Sequence, residues 1–236
     1  MRIGSASRTT AGADPAQLTA TWQTASLLLS YPEPGHAAVF ELAARVSSIL
    51  PPEMSAPLRT CVARLGEAPL EQLQADYVQT FDNQRRHNLF LTYFAHGDTR
   101  KRGLALLRFK QTFQASGFEF TADELPDHLC VVLEYAATID QAQGRQLLLD
   151  HRAGLELLRL SLAEAGSRWA GAVEAVTATL PPLQGDEWEA VRRLAAEGPP
   201  EEEVGLTPYA TPGFDPGPAA PDGPTLLPMP SFPGAR

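Results

Sequence analysis

LFLTYFAHGDTRKRG, residues 89–103, decides how the chain is read. Leu89 to Ala95 carries hardly a polar atom, His96-Gly97-Asp98 has the composition of a turn, and Arg100-Lys101-Arg102 follows at once. Leu89 to Phe94 is the one strand-like run in the sequence. A buried helix segment explains it equally well, because a short apolar run has no diagnostic period. Everything around it has helical spacing, and the fold class expected is all-α.

Upstream, Asp14 is placed to cap a helix that Pro15 opens, with Leu18, Trp22, Ala25 and Leu28/Leu29 on one face. Tyr31 to Gly35 stops it. Val39 to Leu50 predicts a second helix, ended by Pro51-Pro52. Leu58 to Leu65 predicts a third, ended by Gly66. Pro69 opens a fourth, with Leu70, Leu73, Tyr77 and Phe81 aligned. Downstream, Asp98 or Thr99 is the expected cap of a helix carrying Leu104, Leu107, Phe109 and Phe113, closed by Gly117. Pro126 is expected to open the next. Leu147 to Leu162 predicts one long helix with Gly154 as a weak point. Trp169 to Leu180 and Asp186 to Ala196 complete a bundle of about eight to nine helices.

The domain boundaries follow from composition. Residues 1–14 are small and polar and read as a flexible N-terminus, with no apolar core of a secretory signal. Residues 15–196 form the helical domain. Residues 197–236 read as a disordered tail: from Gly198 onward there are 11 prolines and 6 glycines in 39 residues, too few apolar groups to offset ordering entropy. Leu226-Leu227-Pro228-Met229 is the apolar cluster in it.

At 236 residues with 44% hydrophobic content the chain can bury a full core. Its net charge of −9 opposes bulk binding to nucleic acid or acidic membranes. No stretch approaches the 18 or so apolar residues of a membrane span. Cys61 and Cys130 stand in no metal-like or redox-like spacing, as expected of free thiols in a cytoplasmic protein.

Charge is unevenly distributed. Residues 83–118 hold seven basic residues and one acid, Asp98, whereas residues 119–203 hold seventeen acids and six bases. Arg100, Lys101 and Arg102 fall in the first turn of a predicted helix, where the macrodipole disfavours each cation by up to ~1 kcal/mol. Such a placement calls for an anion. Internal acids (Asp98, Asp82, or the Asp123-Glu124-Asp127 group) and an acidic group on a partner or cofactor are the two readings. In TADELPDHL (121–129), Thr121 and Glu124 have capping-box spacing. In ADYVQTFD (75–82), Tyr77 and Phe81 are i, i+4, as for core packing or, alternatively, ligand contact.

No HExxH, Walker A, GxGxxG or GxSxG motif occurs. His87, His96 and His128 are the histidines able to meet, and their spacing matches no compact metal motif. No catalytic residue, metal ligand or enzymatic activity is expected.

YVQTFD (77–82), LFLTYFAHGDTRKRG (89–103) and ELPDHL (124–129), in this order and spacing, resemble the NarJ family, the nitrate reductase molybdenum cofactor assembly chaperones. The resemblance covers roughly residues 20–165. The PDH element is shared with the wider group of all-helical molybdopterin oxidoreductase chaperones. The resemblance implies a cytoplasmic chaperone that binds the apo catalytic (alpha) subunit of respiratory nitrate reductase, chiefly at its N-terminal peptide. It keeps that subunit competent for insertion of bis-molybdopterin guanine dinucleotide and binds no cofactor stably itself.

On that reading, the client peptide lies as an amphipathic helix in an apolar groove. Tyr77, Phe81, Leu91, Tyr93, Leu107, Leu129 and Leu133 are the groove candidates. Glu124, Asp127 and His128 are placed at its rim to receive a basic residue. Asp98, Arg100 and Arg102 form a charged loop that meets client or cofactor anions, or is fastened to Asp127. A monomer is expected, with a dimer as the alternative. The competing readings are a chaperone of another molybdopterin oxidoreductase, a helical DNA-binding regulator supported by the basic segment Arg100–Lys110, and a helical metal or cofactor enzyme.

Overall fold

The structure, a computed structural model, describes residues 14–120 and 124–200. Asp14 accepts a hydrogen bond from Ala16 N at 3.2 Å and caps α1 (Pro15–Leu29), as its sequence predicts. Then follow α2 (His36–Ser47), α3 (Pro52–Gly66) and α4 (Leu70–Tyr77). α2 closes at Ser47, short of the predicted Leu50, and Pro51-Pro52 opens α3, because Pro52 occupies a first-turn position where no N–H is needed. α4 runs into a single π turn at Val78–Asp82 and a short 3-10 turn at Arg85–His87. The chain continues through α5 (Leu91–His96), α6 (Arg100–Ala115), α7 (Leu129–Thr138), α8 (Gln141–Asp150), α9 (Arg152–Glu164), α10 (Ala170–Ala178) and α11 (Gly185–Glu197).

The all-α expectation holds: among the described residues there is no strand, only an isolated antiparallel bridge between Phe90 and His128. The strand-like run is thus divided, with Phe90 bridging and Leu91 onward helical. Among the described residues there are eleven α-helices rather than eight or nine. One extra break falls at His151 (φ −109°, ψ 21°), which splits the expected long helix into α8 and α9. Its Nδ1 lies 2.9 Å from Leu147 O, at the end of α8. The expected flexible segment before Asp14, the Thr121 capping box and the tail beyond Pro200 lie outside the described residues.

α1 packs along α7 and α3 along α10, with α2 on α3, α8 on α7, and α9 between α10 and α11. Trp22, Trp169, Phe113 and Tyr135 are almost wholly buried in the core. Trp22 Nε1 donates to Thr179 Oγ1 at 2.9 Å, so its polar atom is satisfied. Two glycines mark close helix approaches. A Cβ on Gly171 would collide with the Pro57 carbonyl oxygen, and one on Gly154 would come within 2.8 Å of Phe94 ring atoms. Gly154 is therefore a contact of α9 with α5 and not a weak point.

α6 also corrects the sequence reading. Ala105, Phe109 and Phe113 face inward, while Leu104 and Leu107 are 67% and 49% exposed. The buried stripe of α6 is centred on the phenylalanines, and Leu104 and Leu107 lie on the opposite side, with Leu106 half-buried.

Candidate functional site

Two stretches that stand apart in the sequence are joined around Asp127. Leu91 N donates to Asp127 O at 3.0 Å and Leu129 N donates to Leu89 O at 2.8 Å, flanking the Phe90–His128 bridge. Pro126 and Asp127 form a turn closed by His128 N donating to Leu125 O at 3.0 Å, and the bridge holds His128 extended, so α7 starts at Leu129 and not at Pro126 as the sequence predicts. His128 takes the N-cap position, its Nδ1 accepting from Cys130 N at 3.3 Å.

Asp127 is consequently not in a first helical turn. Its side chain is fully buried and accepts from Thr92 N at 3.1 Å and from Thr92 Oγ1 at 2.5 Å, both on Oδ2. Arg102 reaches the same oxygen at 3.9 Å and donates from Nε to Thr92 Oγ1 at 3.3 Å. Arg102 also bonds Asp98 at 3.2 Å, and its guanidinium lies 5.1 Å from the centre of the Phe90 ring. The expected turn is present: Gly97 takes φ +55°, which favours glycine, and Asp98 begins the approach to α6. Thr99 holds the N-cap position of α6, but its hydroxyl donates to His96 O at 2.8 Å and does not cap the helix. Of the two anion readings for the basic burst, Arg102 follows the internal one.

This junction forms one wall of a pocket of about 410 Å³. Of the sequence candidates it brings together Tyr77, Phe81, Glu124 and His128. Tyr77 is held by a hydrogen bond from its hydroxyl to Leu29 O at 3.0 Å. Its ring packs against Phe81 at 4.7 Å, Trp169 at 5.5 Å and Tyr31 at 5.3 Å. Phe90 stands edge-on to His128 at 5.2 Å. Burial pushes the Tyr77 hydroxyl well above the usual tyrosine range. It also pushes His128 below the ordinary histidine value, against the opposing pull of Glu124 and Asp127.

The remaining candidates lie elsewhere. Leu91, Leu129 and Leu133 are core residues almost without exposure. Tyr93 lines a separate cavity with Phe94 and Asp98. Leu107 is on the outer face of α6, and Asp127 is behind the pocket wall and not on its rim. Arg100 is exposed on the first turn of α6.

Sequence reasoning missed Tyr31, Asp82, Phe90 and Glu134, which also line the pocket. Asp82 and Glu134 are exposed carboxylates, and no sequence pattern distinguishes them from ordinary surface acids. Tyr31 reads in the sequence only as part of a helix stop. Among the described residues the pocket walls thus carry three carboxylates and no lysine or arginine, so the arrangement can hold a cation over an aromatic floor.

The three histidines do not meet. His87 is buried with its Nδ1 3.0 Å from Thr80 O, and His96 lines a different cavity. Among the described residues no group of three or more His, Cys, Asp or Glu is arranged to hold a metal. Burial pushes the thiols of Cys61 and Cys130 up to about 12, consistent with inert core residues. No described helix is long and apolar enough to cross a membrane.

The described residues define an all-helical fold with an acid-rimmed aromatic pocket, and comparison with known proteins assigns its family. The chain belongs to the nitrate reductase delta subunit family, whose model matches residues 49–175. It is 32% identical over 161 residues to a probable nitrate reductase molybdenum cofactor assembly chaperone, NarJ, of Bacillus subtilis, covering 68% of this chain and 88% of that one. It is 32% identical over 148 residues to the NarJ chaperone of Escherichia coli K12, covering 61% of this chain and 63% of that one. It is also 40% identical over 159 residues to the nitrate reductase-like protein NarX of Mycobacterium tuberculosis H37Rv. That match covers 67% of this chain but only 24% of NarX, so the chain spans about a quarter of that relative.

Proposed function

We propose that this chain is a dedicated assembly chaperone. On this reading it binds the apo catalytic (alpha) subunit of respiratory nitrate reductase at its N-terminal peptide and keeps it competent for molybdenum cofactor insertion. The observation that carries the reading is the match to 88% of the length of the Bacillus subtilis chaperone. The pocket supports it, because three carboxylates around an aromatic floor suit a basic, amphipathic segment. The protein acts in the cytoplasm as a monomer, catalyses no reaction and holds no cofactor of its own. Bis-molybdopterin guanine dinucleotide is the client's cargo.

Energetics rank the contacts. An exposed ion pair contributes about 0.2–1 kcal/mol, whereas burying one apolar side chain of the peptide contributes about 1.5–3 kcal/mol. The floor therefore supplies most of the affinity and the carboxylates supply orientation and choice of sequence. Binding of the client's N-terminal peptide to the full chain, followed by calorimetry, tests the reading. Saturable one-to-one binding is expected. No heat and no competition with the apo subunit would contradict it.

A further inference from the structure

The acidic pocket has a neighbour. A second cavity of about 400 Å³ lies against it, and the two share Ser30 and Tyr31. Leu27, Val39 and Phe40 line this second cavity, with Leu65 and Trp169 among its buried lining residues. Leu27 and Tyr31 are 41% and 46% exposed, unusually so for large side chains next to a core. The Trp169 ring also meets Tyr77 and Phe81, at 5.5 and 5.4 Å. One aromatic cluster thus runs beneath both cavities, and Tyr31, edge-on to Tyr77, stands between them as a ridge.

The chemistry changes across that ridge. On one side are Asp82, Glu124 and Glu134. On the other the only acid among the described residues is Glu33, and the remaining lining is largely apolar or aromatic. We infer that the two cavities form one two-point site, taking a helical segment with a lysine or arginine on the acidic side of Tyr31 and a large apolar residue on the other. Continuity of the floor and charge complementarity on one side specify this occupant. Cavities that adjoin across a single ring are spanned by roughly one to two helical turns, about 5–11 Å. The matching residues of the ligand stand four or seven positions apart. The inference rests on the chaperone reading only for the identity of the segment, not for its chemistry. Tyr31 acts as a spacer that fixes the register between the two anchors.

The test uses two probes on the full chain: the client's N-terminal peptide, and a designed amphipathic helical peptide of unrelated sequence. The designed peptide carries one arginine and a leucine four or seven residues on. Each is measured with wild type, Leu27→Asp, Tyr31→Ala and the Glu124→Gln/Glu134→Gln pair. All four substituted residues are exposed, and thermal melts verify folding. Leu27→Asp is expected to weaken the designed peptide about 10- to 100-fold. It should also abolish the preference for leucine over serine at the apolar anchor while keeping the preference for arginine over glutamine. The glutamine pair is expected to do the reverse, with a loss of about 2- to 20-fold. Tyr31→Ala is expected to remove the preference for one spacing over another. Intact leucine discrimination in Leu27→Asp overturns the two-point site. Binding of the designed peptide without the client's overturns the chaperone reading alone, whereas failure of both peptides overturns both.

Discussion

Arg102 and Asp127 meet through Thr92. The guanidinium donates to the threonine hydroxyl at 3.3 Å, the hydroxyl donates to the carboxylate at 2.5 Å, and the charges themselves stand 3.9 Å apart. Asp127 is fully buried and Arg102 is half-buried, its side chain 16% exposed. This chain of contacts ties the first turn of α6 to the segment that starts α7. It also answers the unfavourable position of a cation at a helix N-terminus.

Asp127→Ala is expected to cost about 1–3 kcal/mol, because it leaves the buried Thr92 N–H without an acceptor and removes one of the two carboxylates that Arg102 meets. Arg102→Gln, at a partly exposed position, should cost about 1–3 kcal/mol. Urea denaturation measures both. A loss below about 0.5 kcal/mol in Asp127→Ala, the level of an ordinary surface substitution, would show that the junction is not a stability element.

Gly171→Ala separates packing from helix propensity. Alanine is favoured over glycine in a helix by about 1 kcal/mol, yet its methyl would meet the Pro57 carbonyl at the α3–α10 contact. Overpacking costs about 1–3 kcal/mol, so net destabilisation is expected. A raised melting temperature would contradict the close approach.

Leu104→Gln and Leu107→Gln are expected to change stability by no more than about 0.5 kcal/mol, as exposed positions do. Peptide affinity should also be unchanged. Phe109→Ala and Phe113→Ala, on the buried face, should each cost about 3–5 kcal/mol. Equal losses on both faces would reverse the assignment of the buried face of α6.

Acid should weaken both fold and binding. His128 and His151 titrate below the ordinary histidine value because burial disfavours their charged forms. Above the unfolded value of 6.5 both states are neutral and stability is flat with respect to these groups. As pH falls below it the unfolded chain takes up protons first, so stability declines until the folded histidines also protonate. A protonated His128 beside Glu124 also repels a cationic ligand, so affinity for a basic peptide should fall at the lower end of that window, where the folded His128 itself takes up its proton. His128→Asn, which retains a capping side chain, should flatten the affinity profile and remove part of the stability decline, His151 supplying the rest. A peptide affinity that rises on acidification would contradict this polarity.

Helix boundaries marked by local chemistry were readable from the sequence. Asp14-Pro15 opens α1 and His96-Gly97 ends α5 because caps and glycine turns act within a few residues. The start of α7 was not readable, because it depends on a bridge to Phe90, some forty residues earlier. The face of α6 was misread for a similar reason. Leu104 and Phe109 are equally apolar, and only the packing of the phenylalanines against α7 and its neighbours decides between them. Within the site, Tyr77 and Phe81 were evident from their helical spacing, whereas Tyr31, Asp82 and Glu134 converge only through the tertiary fold.

The central claim is that the acidic aromatic pocket receives a basic segment of the nitrate reductase alpha subunit. It is tested most directly by calorimetric titration of the full chain with that subunit's N-terminal peptide, comparing wild type with the Glu124→Gln/Glu134→Gln pair. The account predicts one-to-one binding to wild type and a loss of about 2- to 20-fold in the pair, with unchanged melting curves. Equal affinity in both proteins would contradict it.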